Sequence, residues 1–415
     1  MVNFTTSEQQ LRQKKLLILL CGIIIFFLTS MAKVLIPATI FNDLMLMKMP
    51  VNRIAALGSA FLYAYAASQL VMGCFSDRYG GVRILLIGGG LFAAGTILFP
   101  LMQNYYLMLV CRIVTGFGAG TIFLGVAKLL GDLFSSRFFS LSLGMVLFFG
   151  YLGPTTGTMP MVKLVEYAGW RWAMIIPGLA AGLPLMLIVA FMRGTIKPVV
   201  KGQTLEPLWV MVKNKYIWYL SLSCSALYGC YYAITGQIGQ KIFSDIFHLT
   251  AGKASFCIMI LTIIVALNNL VVNGLLKLFA DRRKVVILMG TVLTLVGSVL
   301  GYWAFNTDKW WFFMIALVIT AFPAGFFSIF GTIAKELNTP DYTAMSVAFL
   351  NAFVFGVISL YQNITGLVLK HFAGNADAIT FSADAYKAVY VVFIIGAVLS
   401  FLAVLLVPET RDRCQ

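Results

Sequence analysis

GCFSDRYGGVR, residues 73–83, packs two arginines, an aspartate and three glycines into eleven positions. It stands between two greasy runs, AALGSAFLYAYAASQLVM (55–72) before it and ILLIGGGLFAAGTILFPLM (84–102) after it. Each run approaches the roughly 20 apolar residues that carry a helix across a hydrocarbon layer about 30 Å thick. The polar knot therefore reads as a turn at one membrane face.

The pattern extends through all 415 residues, which are 60% hydrophobic and only 11% charged. A soluble domain carries about a quarter charged residues. Twelve spans follow from the apolar runs: 16–40, 53–75, 84–102, 106–129, 138–162, 171–192, 216–240, 254–276, 285–304, 310–334, 343–369 and 387–407. The opening RQKKLLILLCGIIIFFLTS has the basic flank and apolar core of a signal peptide, but the run continues too far, so it reads as an uncleaved first helix. The expected fold class is an all-α membrane protein of twelve transmembrane helices in two six-helix, pseudo-symmetric halves around a central cavity.

The formal net charge of +15 invites a nucleic-acid partner, and its placement argues against one. Eighteen Lys and Arg fall on the side of the two termini and the 193–215 connection, nine on the other side, and three inside spans. The positive-inside rule then puts both termini in the cytoplasm. A multi-pass protein of a bacterial inner membrane, monomeric and with no nucleic-acid partner, is the expectation. Six of the seven cysteines lie in or beside spans, with neither metal-ligand nor disulfide-framework spacing. No cofactor, metal site, nucleotide-binding loop or catalytic constellation is expected, so the chain reads as other than an enzyme.

The longest polar connection, RGTIKPVVKGQTLEPLWVMVKNK (193–215), divides the spans six and six. The expected organisation is an N-terminal bundle over 1–192, a linker over 193–215 and a C-terminal bundle over 216–415. The opening stretch has an echo about half a chain later, GLLKLFADRRKVV (274–286), which lacks the downstream glycine. The same shift lays TGFGAG (115–120) over ITAFPA (319–324). Duplicated halves are the architecture of alternating-access carriers.

At this point a family resemblance becomes specific. Gly73, Asp77, Arg78, Gly80 and Arg83 resemble the G-x-x-x-D-R-x-G-x-R loop between spans 2 and 3 of the major facilitator superfamily. RIVTGFGAG, with Arg112, Gly116, Gly118 and Gly120, is similar to its span 4 segment, and GYLGPTTG (150–157) to its Gly-Pro segment of span 5. Thr158 stands where that segment has its second glycine. GWRW (169–172) and PET (408–410) also fit, so the resemblance covers the whole chain. It implies that Asp77 complements the N-terminus of span 11, near Thr343, in a gate with Gly73, Arg78, Gly80, Arg83, Lys128 and Pro154.

Three basic residues lie within spans: Lys33, Arg112 and Lys128. Each costs about 2.5–3.5 kcal/mol at a helix centre, so each should face the protein interior. Lys33 shares a helical face with Phe26, Thr29, Ser30 and Pro37, a polar stripe fit to line a cavity, and Lys128 is near enough to a span end to snorkel. The second half offers hydrogen bonders: Tyr228, Tyr231, Tyr232 and Thr235 in span 7, Asn269 and Asn273 in span 8, and Gln362 in span 11. Taken singly, each serves interhelical bonding equally well. As a set with Lys33, Arg112 and Thr29 they read as substrate-binding. All fifteen acids and both histidines fall in loops or at span ends. A cavity with cations and no carboxylate favours a small organic anion, such as a carboxylate or sugar acid, moved by proton symport or anion exchange. Proton-driven efflux of drugs or metabolites is the rival, and a transporter-like sensor the remoter one.

The topology is directly testable. Single cysteines at Gly202 and Gly374, in a cysteine-free background, should react with a membrane-impermeant thiol reagent from opposite sides. Reaction of both from outside would overturn the twelve-span map.

Overall fold

The computed structural model describes residues 2–134, 136–192, 206–279, 282–339, 342–372 and 380–410, and among them helix is the only regular element. The N-terminal half holds α1 (Val2–Thr39), α2 (Phe41–Leu46), α3 (Val51–Tyr79), α4 (Gly81–Leu98), α5 (Tyr105–Leu133), α6 (Ser136–Thr156), α7 (Met159–Ala168) and α8 (Trp170–Met192). After α9 (Glu206–Lys213) come α10 (Lys215–Ala233), α11 (Gly239–Asp245), α12 (Ala251–Leu278) and α13 (Arg283–Ala304). The chain ends with α14 (Trp310–Ala321), α15 (Phe327–Glu336), α16 (Thr343–Phe372) and α17 (Ala383–Leu406). Ten helical segments of the described residues are long and apolar enough to cross a membrane. The pairs α6–α7 and α10–α11 supply two further passes, giving the twelve-helix layout.

The turn at the opening motif is tighter than its sequence implies. The polar stretch reads as a loop of several residues, but α3 continues to Tyr79 and α4 begins at Gly81. Gly80 alone separates them, with φ +74°, a conformation strained for any residue carrying a Cβ. Asp77 and Arg78 thus lie in the last turn of a helix and Arg83 in the first turn of the next.

Among the described residues, three passes break near the middle of the bundle, where irregular backbone survives only if its polar groups find partners. Span 5 was expected to be continuous, yet it stops at Thr156 and restarts at Met159. Pro154 lacks an N–H and crowds the carbonyl one turn back, which weakens the ladder there. The freed Gly157 carbonyl accepts from Thr39 Oγ1 at 2.8 Å, and the Thr155 carbonyl from Thr158 Oγ1 at 2.6 Å. Pro323 opens span 10 into a 3-10 turn over Phe322–Phe326. There Asn268 donates its amide to the Phe322 carbonyl and Tyr228 its hydroxyl to the Ala324 carbonyl. Span 7 widens into a π-turn over Ile234–Ile238, between α10 and α11.

The linker is partly helical. It is polar in composition, but its second part forms α9, which packs against α3, α10 and α16 and buries Met211. Asn214 then caps α10 by accepting from Tyr216 N at 3.1 Å, and its amide donates to the Leu337 carbonyl at 3.2 Å. At the same end Arg283 pairs with Glu336, and Glu409 of the PET segment accepts from Lys284 N at 3.1 Å.

The α5 glycines explain how the N-terminal half closes. Gly116 and Gly120 face α3, and Gly118, on the other side, faces α4. A Cβ at Gly116 would stand 2.1 Å from the Phe61 carbonyl oxygen, and one at Gly118 would stand 2.4 Å from that of Gly88. Small residues let membrane helices approach this closely, which supplies the packing that lipid cannot. Gln69 adds a bond across the same seam, its amide donating to the Gly120 carbonyl at 2.7 Å.

Gly116→Ala should therefore destabilise the folded chain by about 1–3 kcal/mol, because its Cβ meets backbone that cannot rotate away. Gly90→Ala, whose Cβ meets nothing within 4 Å, should be neutral or slightly stabilising. Thermal unfolding in detergent compares them, and equal midpoints would refute the packing account.

Candidate functional site

Between the two halves lies a cavity of about 290 Å³. Its walls come from α1, α3, α5 and α6 on one side and α10, α15 and α16 on the other. It reaches Gly331 and Val347, close to the linker-side ends of α15 and α16. Toward the opposite face the halves touch directly. Asn363 Nδ2 stands 3.3 Å from the Tyr63 hydroxyl, and Thr262 donates to Thr155 across 2.9 Å. Gly366 lies against Ala55, so closely that a Cβ would come within 2.4 Å. The cavity is thus shut on that face and extends toward the linker.

Lys33 is the only Lys or Arg lining it, and no Asp or Glu does, among the described residues. The side chain is buried at the junction of α1, α3 and α16. Its Nζ lies 4.5 Å from the Tyr65 ring centroid and 4.8 Å from that of Phe355, with the Tyr65 hydroxyl at 3.4 Å. Those two rings meet edge to face at 4.7 Å, so one ammonium bridges a contact between the halves. A desolvated cation–π contact is worth up to about 2 kcal/mol, whereas burying an ion costs several. The rings offset part of the cost, and a negative charge beside Lys33 would offset more.

Of the other residues expected at the site, Tyr228, Tyr232 and Pro154 line this cavity. Thr29 and Thr235 instead donate to the Phe26 and Tyr231 carbonyls of their own helices, at 2.9 and 2.8 Å. Tyr231 is buried behind Tyr232, their rings 5.2 Å apart. Gln362 lies two turns beyond Phe355 on α16; its backbone carbonyl accepts from Gln237 Nε2 at 3.0 Å, and its buried side-chain amide has no hydrogen-bond partner among the described residues. Arg112 is fully buried in the α3–α5 seam, away from the cavity lining. Its Nε donates to the Leu57 carbonyl at 3.2 Å and its guanidinium stacks 4.5 Å from the Phe61 centroid. The side chains of Asn269, Asn273, Asp77 and Arg78 lie outside the described residues, as does any side-chain geometry at Pro37. Of the remaining gate set, Gly73 and Gly80 sit in and just after the end of α3, and Arg83 and Lys128 are half-buried near that end.

Sequence reasoning missed Tyr65 and Phe355. Tyr65 sits in an alanine-rich helix face and Phe355 in an unbroken apolar run, and neither carries a local signal. It also left Lys241 and Asp245 as unremarkable span-end charges. They form a buried pair on α11, and Asp245 further accepts from Tyr386 Oη at 2.8 Å and Phe381 N at 3.0 Å.

A second hollow of about 410 Å³, between α3, α10 and α16, is lined by apolar and aromatic residues, without a charged group among the described residues. It has nothing with which to orient an ionic ligand, so the Lys33 cavity is the candidate site.

Comparison with known proteins agrees with this architecture. Over 137 residues the chain is 29% identical to the efflux pump dotC of Dothistroma septosporum (strain NZE10 / CBS 128990), covering 33% of this chain and 24% of that one. Over 145 residues it is 27% identical to the probable sulfoacetate transporter SauU of Cupriavidus necator, covering 35% and 34%. The matched segments span about a quarter and about a third of these relatives. Among solved structures, a bacterial homologue of the human lysosomal transporter Spinster, inward-facing and unoccupied, superposes with a TM-score of 0.78 at 15% identity, covering 94% of this chain and 97% of that one. A variant of the nucleoside transporter NupG gives 0.74 at 15% identity, covering 95% and 100%. At such identities the likeness is one of fold. The family model described as Major Facilitator Superfamily matches residues 18–280, more than half of the chain, and the protein belongs to that superfamily.

Proposed function

We propose that the protein is a secondary transporter that moves a small organic anion by alternating access, through proton symport or anion exchange. The observation that carries this reading is the cavity's charge: Lys33 lines it and no carboxylate does, among the described residues. A cationic cargo entering there would meet a like charge, which disfavours the rival reading of cationic drug efflux. The relative named as a probable sulfoacetate transporter has an organic anion in its name, and other relatives are named efflux pumps. With the linker placed in the cytoplasm by the charge bias, the cavity faces inward. Asp77, at the linker-side end of α3, belongs to the gate in this reading and does not touch the cargo.

Lys33→Gln should weaken equilibrium binding of a carboxylate ligand by about 1.5–3 kcal/mol, roughly 10- to 150-fold, the range for a hydrogen bond to a charged group. Lys33→Arg keeps the charge but presents a planar fork in place of a compact ammonium, so the loss should be partial. Binding of carboxylates to purified wild type and both variants, with folding checked by size exclusion, decides the matter. Anion binding as tight in Lys33→Gln as in wild type, or a wild-type preference for organic cations, would sink the reading.

Asp77→Asn should slow transport while equilibrium affinity stays within about threefold of wild type, since α3 ends far from the cavity centre. A large loss of affinity with intact cycling would count against the gating role.

A further inference from the structure

Beside the charge, the cavity's most distinctive property is its aromatic wall. Phe327 contacts Tyr228 at 5.4 Å between ring centroids, Tyr228 contacts Tyr232 at 6.1 Å, and Tyr232 contacts Phe355 at 6.0 Å. Phe355 in turn meets Tyr65, and both rings face the Lys33 ammonium. From the N-terminal half, Phe26 and Phe123, 5.1 Å apart, line the same space. Rings from both halves thus surround the Lys33 ammonium.

Polar capacity is correspondingly small. Apart from Lys33 and the tyrosines, the polar side chains lining the cavity, among the described residues, are Ser30, Ser328 and Asn351. The Tyr228 hydroxyl is already committed to the Ala324 carbonyl that the 3-10 turn leaves open. A polyhydroxylated acid would bring several hydroxyls into this space, and those without partners would weaken binding. A dianion would place its second charge against rings, whose faces carry negative potential. The volume of about 290 Å³ lies at the lower end for ligand pockets, which limits the cargo's body to one or two rings or a similar hydrocarbon mass.

We infer that the cargo is an amphiphilic monoanion: one carboxylate or sulfonate seated beside Lys33, with a flat apolar or aromatic body stacked among Tyr232, Phe327, Phe26 and Phe123. This rests on the anion-transporter reading above and narrows it, removing sugar acids and dicarboxylates. The head group supplies the counter-charge that the Tyr65 and Phe355 rings only partly provide. The body gains ring–ring contacts and excludes water from the same site.

The test is titration calorimetry of the full chain in detergent with four probes: 2-naphthoate, glucuronate, succinate and the neutral 2-naphthalenemethanol. 2-Naphthoate should bind about tenfold or more tighter than each of the other three. Lys33→Gln should bring it down to the level of the neutral alcohol. Phe327→Leu and Tyr232→Leu should each weaken it about threefold to tenfold, and Tyr232→Phe should restore it, while these three aromatic variants leave glucuronate unaffected. Size exclusion and the retained response of Tyr232→Phe guard against misfolding. Glucuronate or succinate binding as tightly as 2-naphthoate, in a manner that depends on Lys33, would overturn the amphiphile and leave the anion reading standing. 2-Naphthoate binding undiminished in Lys33→Gln, or binding of none of the anions, would overturn both.

Discussion

The structure depends on how closely α3 is gripped from two sides. On one side α5 presents glycines to it, so that the Phe61 and Tyr65 carbonyls meet backbone where side chains would normally intervene. On the other side α16 packs along it, and this is the most extensive contact between the halves. In hydrocarbon there is no solvent-exclusion force to press helices together, and close van der Waals approach takes its place. Because α3 cannot shift relative to α5, Tyr65 is held at a fixed depth and angle. Its ring therefore offers Lys33 a stationary partner on the N-terminal side, while Phe355 offers one on the C-terminal side.

That arrangement gives one side chain two loyalties. Lys33 belongs to α1 of the N-terminal half, yet part of its electrostatic compensation comes from a ring of the C-terminal half. Any motion of one half against the other would change the environment of this ammonium. A ligand charge beside Lys33 would compete for the same ammonium, and occupancy would then be energetically linked to the α3–α16 contact. The broken passes surround this point. Pro154 lines the cavity above the gap in span 5, and the opened turn of span 10 is held by Asn268 and Tyr228, which keeps its carbonyls paired at membrane depth.

Two of the buried basic residues look alike along the chain. Arg112 and Lys33 are both basic, both inside spans and both buried. Arg112 spends its guanidinium on the Leu57 carbonyl and the Phe61 face, within one half, and so strengthens a seam. Lys33 points into open volume. The difference lies in what stands opposite each residue: a carbonyl and a packed ring for Arg112, a cavity between halves for Lys33.

The sequence by itself determined the membrane class, the twelve passes, the duplication and the motif glycines, because these are carried by runs, periods and spacings within one segment at a time. The hydrophobic length of a span and the absence of an acid inside it are local facts. It also singled out Lys33, since a lysine in the middle of an apolar helix is anomalous in any fold. Only the tertiary structure decided which polar residues share a space. Thr29 and Thr235 lie on plausible faces, but their hydroxyls donate within their own helices, and Gln362 lies beyond the cavity lining. Tyr65 and Phe355, silent in their own segments, become the partners of Lys33 through contacts between helices far apart in the chain. A helix's periodicity tells which side faces inward. The choice of neighbour on that side is made by packing among all twelve, and no single span contains it.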